Sequence, residues 1–94
     1  MDVWIYIRPA IDPADRGDIE DALGDALGDR GEVFGGGTML DGSECDISLE
    51  LFDDNTPVRP AVEEIRVVLR TFEFARPTEI AIKVGDETFG LWDA

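Results

Sequence analysis

The residues of this chain that could do chemistry are overwhelmingly carboxylates. Aspartate and glutamate number 22 against 8 lysines and arginines, and histidine is absent. Without histidine the sequence lacks the commonest general base and the commonest metal ligand. Asp41, Glu44, Asp46 and the run Asp53-Asp54-Asn55 could be drawn together as calcium ligands, but none has the alternating spacing of a calcium loop. Paired acids for glycoside chemistry could be chosen from the same residues, yet with so many acids a pairing carries no information. Cys45 falls on the apolar side of an alternating run, where a free cysteine is a small hydrophobe, and no histidine exists to activate it. Gly35-Gly36-Gly37 precedes Thr38-Met39-Leu40 rather than a helix, and no lysine follows, so it is not a phosphate loop. No catalytic residue, metal ligand or cofactor motif is assigned.

The elements that must position these residues are legible from their periods. Residues 32–52 read as a β-hairpin: Cys45, Ile47, Leu49 and Leu51 alternate with Asp46, Ser48 and Glu50, the pattern of a half-buried strand. Asp41-Gly42 favours a type I′ turn between its arms. The glycine run inside the first arm marks a bulge on an edge strand or a close backbone approach. Residues 2–8 alternate as well, with Val3, Ile5 and Ile7 on one side and Trp4, Tyr6 and Arg8 on the other. A helix starts at Asp12-Pro13, with Asp12 as N-cap and Ile19, Ala22, Leu23, Ala26 and Leu27 as its apolar stripe. Thr56 is expected to cap a second helix, whose stripe is Ala61, Ile65, Val68, Leu69 and Phe72. Glu63, Arg66, Arg70 and Glu73 should pair in solvent, and Arg76-Pro77 should end that helix. Residues 79–84 and 87–92 form a final hairpin. If Lys83 opposes Thr88, then Phe89 and Leu91 join the core while Gly90 and Trp92 face outward.

The order strand, helix, strand, strand, helix, strand, plus one more strand, resembles the ferredoxin-like fold. The resemblance covers nearly the whole chain and rests on element order. It implies an α+β two-layer sandwich, a single domain spanning 1–94, with both helices on one face of an antiparallel sheet ordered 4-1-3-2 and the extra strand beside the fourth. The other face is then open. Trp4, Tyr6, Arg8, Asp46, Ser48, Glu50, Lys83 and Trp92 point to it by alternation. Val33, Gly35, Gly37 and Met39 join them if Leu40 opposes Ser43. Aromatic side chains on a face that should be wet mark a contact site, for another protein or for a second copy. Trp4 and Trp92 are expected in one cluster.

The net charge of −14 argues against nucleic-acid phosphates and anionic membrane surfaces. It fits either adaptation to high salt or a basic partner. Residues 1–57 hold 15 acids against 3 bases and residues 58–94 hold 7 against 5, an unevenness that favours the partner. One cysteine excludes an intramolecular disulfide, and no signal or membrane-spanning run is present, so the expected location is cytoplasmic. In size, acidity and lack of catalytic residues the chain is similar to small bacterial toxin-immunity proteins, although no motif of theirs is matched. The leading expectation is a non-enzymatic acidic protein-binding module of that kind. The alternative is a ferredoxin-like dimeric enzyme or small-molecule binder, with Tyr6, Arg8 and Asp46 as polar groups of a pocket on the open face.

Overall fold

Alternation of β-branched residues sets the centre of the molecule. The computed structural model describes residues 1–92. Strand β1 (Asp2–Arg8) is followed by helix α1 (Pro13–Leu27), strands β2 (Gly31–Thr38) and β3 (Cys45–Leu51), helix α2 (Val58–Leu69), and strands β4 (Glu79–Val84) and β5 (Glu87–Gly90). The strands form one antiparallel sheet in the order β2-β3-β1-β4-β5, which from the other edge is β5-β4-β1-β3-β2. Each helix therefore links two strands that have a third between them.

One face of the sheet supplies Val3, Ile5, Ile7, Cys45, Ile47, Leu49, Ile80, Ile82 and Val84 to a single buried cluster. The helices close it with Ile19, Leu23 and Leu27 from α1 and with Ala61, Val62, Ile65 and Leu69 from α2. Helix α1 starts where Asp12 Oδ1 accepts the Ala14 N–H at 2.8 Å, with Pro13 in its first turn. It ends at Gly28, whose φ of 55° suits glycine alone among common residues.

Several local expectations are corrected. Helix α2 has Pro57 as its N-cap without a side-chain bond, because the Thr56 hydroxyl donates to the Asp53 carbonyl instead. The helix stops at Leu69, ahead of a separate 3-10 turn at Glu73–Ala75. Ala22, Ala26, Val68 and Phe72 are only partly buried, and Val62 takes a core place that the stripe omitted. Arg66 is not solvated. It is 7% exposed, and its Nε donates to the Gly90 carbonyl at 3.0 Å. The Asp41-Gly42 turn is not type I′: Gly42 has positive φ, but Asp41 does not. Pairing stops at the Met39 N–H, which donates to Glu44 O, while Gly42 N–H donates to Met39 O. Asp41 accepts the Ser43 N–H in place of the two-residue turn, a local bond that competes with it.

Candidate functional site

The face of the sheet away from the helices carries the aromatic residues singled out above. Ser48 and Lys83 flank Trp4 in register on the neighbouring strands, and Asp46 and Ala81 flank Tyr6. Residues opposed across antiparallel strands share a face, so Gly35, opposite Ser48, and Gly37, opposite Asp46, lie there too. Trp4 and Tyr6 are both half-buried in the central strand. Among the described residues both helices pack on the opposite side, within the single core cluster.

The glycines explain the relief of this face. The register of β2 slips between Val33 and Gly35, leaving Phe34 as a bulged residue, 56% exposed. Beyond the bulge, Gly36 points to the helical side, where an added Cβ would come within 2.6 Å of the Asp46 carbonyl oxygen. That position needs glycine. Gly35 and Gly37 do not: a Cβ on Gly35 would meet nothing within 4 Å, and one on Gly37 would sit 3.5 Å from an Asp46 carboxylate oxygen. Neither has positive φ. The open side of β2 is therefore bare backbone beside Asp46 and Ser48, with the Trp4–Tyr6 ridge rising across β3.

Charge on this face is divided. The β2–β3 half carries Glu32, Asp46 and Glu50, and Glu50 lies opposite both Glu32 and Asp2. Carboxylates opposed across strands repel one another. None of these four carboxylates is in an ion pair among the described residues, although the Met1 ammonium acts on Asp2 and Glu50 from nearby. On the other half stands Lys83. Arg8, at the far end, is held by Glu44 at 2.6 Å, and this hydrogen bond raises the guanidinium pKa.

Three expected members of the face are elsewhere or unassigned. Val33 opposes Leu49 and packs against the core, because the Phe34 bulge reverses the alternation on its N-terminal side. Met39 is exposed but lies past the last paired residue of β2, in the turn. Trp92 is on the helical side: β5 ends at Gly90, Leu91 turns inward, and the indole stacks under Arg76 and Arg70, with their guanidinium carbons 4.2 and 5.3 Å from its ring centroid. Its Nε1 donates to the Ala75 carbonyl at 3.4 Å. Trp4 and Trp92 thus do not share a cluster. The arginines expected in solvent build this clip: Arg70 donates twice to the Leu91 carbonyl, beside the Arg66–Gly90 bond. Their spacing on α2 is periodic, but the carbonyls they bind, of Gly90 and Leu91, lie where the expected last strand stops pairing.

Asp41, Glu44, Asp53 and Asp54, four of the acids considered as calcium ligands, have other partners. Glu44 binds Arg8, Asp53 caps the Asn55 N–H, and Asp54 accepts from the Met1 ammonium at 2.9 Å. Among the described residues no group of three potential ligands could hold a metal. Cys45 is buried. A cleft of about 490 Å³ opens at the helical end of the molecule, floored by Leu27, Leu51 and Ala61 and rimmed by Arg30 and Glu64. Arg30 forks onto Glu64, and this bonding lowers the Glu64 pKa. No periodic signal marks this cleft, which is assembled from the end of α1, the end of β3 and the first turns of α2.

No family model, curated protein or solved structure matches the chain.

Proposed function

We propose that this chain is a non-enzymatic binding module, of ferredoxin-like architecture with an added fifth strand, that engages another protein through its open sheet face. The observation that carries the proposal is the Trp4–Tyr6 ridge: two large aromatic side chains, flanked in register by Ser48, Lys83, Asp46 and Ala81, on a face that no described element covers. Half-buried aromatics in a shallow polar surround are the usual anchors of protein interfaces. The carboxylates of the β2–β3 half favour a basic partner, because complementary charge speeds encounter and excludes wrong partners. Neutralising a basic toxin surface, as immunity proteins do, is one role such a face could serve.

A differential capture experiment tests the reading. Immobilised wild-type protein should retain a partner from host lysate, and Trp4→Ala with Tyr6→Ala should release it. Asp18→Asn, on the exposed side of α1, should retain it. Retention by all three would remove the open face from recognition. A second reading, small-molecule binding, draws on the 490 Å³ cleft, whose size and apolar floor suit a ligand. It requires a pocket at the helical end rather than on the open face.

A further inference from the structure

Gly35 and Gly37 are costly residues in the middle of a strand. Glycine lacks a side chain to pack and loses more backbone freedom than any other residue. Packing explains Gly36, which meets the Asp46 carbonyl, and positive φ explains Gly28, Gly42 and Gly85. Neither reason applies at 35 or 37, where there is room for a side chain and an ordinary backbone. What the two glycines do achieve is a trough. Its floor is Ser48 and Asp46, its outer side is the bare β2 backbone, and its inner wall is Trp4 and Tyr6. The only charged side chain in the floor is a carboxylate, and Glu50 with Glu32 stands at one end.

Resting on the open face being the interface, we infer that this trough receives the arginine or lysine side chains of an extended segment of the partner protein. An aromatic wall and a carboxylate floor together favour a cation: the ring faces attract a guanidinium or ammonium, and Asp46 completes its hydrogen bonds. The absence of side chains at 35 and 37 lets the partner backbone approach β2 closely. Lys83 lies on the opposite side of the ridge, so the segment is directed to the β2–β3 half.

The probe is a blocked peptide of alternating arginine and threonine, with a glutamate-threonine peptide as control. In a Trp92→Phe background, fluorescence reports on Trp4 alone. The arginine peptide should give a saturable change in Trp4 emission and the control none. Asp46→Asn should weaken binding about tenfold or more, as loss of a close charge pair does. Gly35→Val with Gly37→Val should abolish binding while the denaturant midpoint stays level or rises, since strand propensity improves and a Cβ at either position meets nothing closer than 3.5 Å. Should the double valine variant fail to fold, the isosteric Asp46→Asn still decides the matter. The assignment is overturned if the peptide does not bind, if it binds without a Trp4 response, or if both sets of substitutions leave affinity unchanged. It is also overturned if sedimentation shows a dimer that Gly35→Val with Gly37→Val dissociates, for then a second copy fills the trough. A partner whose binding needs Trp4 but ignores Asp46 and the glycines would sink the trough and leave the open-face reading standing. Indifference to Trp4 as well would sink both.

Discussion

At the scale of single residues, adjacent glycines in β2 make opposite predictions. Gly36→Ala drives a Cβ to 2.6 Å from the Asp46 carbonyl oxygen, a backbone atom of the neighbouring strand that cannot rotate away. Such overpacking should cost about 1–3 kcal/mol. Gly35→Ala meets open space and should change stability by no more than about 0.5 kcal/mol. Urea midpoints of the two variants check this contrast, and equal effects would contradict the register of β2. Leu49 is fully buried in the central part of the core, so Leu49→Ala should cost about 2–5 kcal/mol. Cys45, 1% exposed in the same strand, should react with a thiol reagent only after denaturant is added.

At the scale of elements, two polar contacts carry a pH dependence: one holds the N-terminus to the segment after β3, the other holds Arg30, just ahead of β2, to Glu64 of α2. The Met1 ammonium donates to Asp54 and to the Leu51 carbonyl, and the Asp54 bond raises its pKa above the usual α-amino range of about 7.7–8.0. A raised folded pKa means that its contribution is full below the unfolded value and fades as pH rises through the folded one. Glu64 is the reverse case. Its pKa is lowered by the Arg30 hydrogen bond, so its contribution is present above the ordinary carboxylate range and is lost as pH falls through the lowered value. Relative to wild type, Glu64→Gln should therefore flatten the acid limb of the thermal midpoint's pH dependence. An unchanged acid limb would remove the Arg30–Glu64 pair from the account. The strands were legible because period-2 alternation specifies a face outright: β1 and β4 occupy the expected residues, and the hairpin pairing of residues 35–38 follows from Leu40 opposing Ser43. What was not legible depended on single-residue events. A bulge at Phe34 reversed Val33, and the end of β5 at Gly90 freed Trp92 to swing under two arginines. Alternation cannot announce where it stops.

At the scale of the whole molecule, charge is distributed against stability. The net charge of −14 and the opposed carboxylates of Glu32, Glu50 and Asp2 repel within the folded state. Stability should rise with added salt as the Debye length shrinks from about 10 Å at 0.1 M. Binding to a basic partner should weaken over the same range, mainly through a slower on-rate. Stability that does not respond to salt would contradict the self-repulsion. The same geography separates the two tryptophans: Trp4 stands on the open face, and Trp92 closes the clip between α2 and the segment after β5. Partner affinity by titration and folding stability by denaturant midpoint, measured on Trp4→Ala and Trp92→Ala side by side, test the central claim most directly. Trp4→Ala should lose about 2 kcal/mol or more of binding energy with little change in stability, and Trp92→Ala should lose stability with binding intact. Full affinity in Trp4→Ala, or loss of affinity through Trp92→Ala alone, would contradict the open-face account.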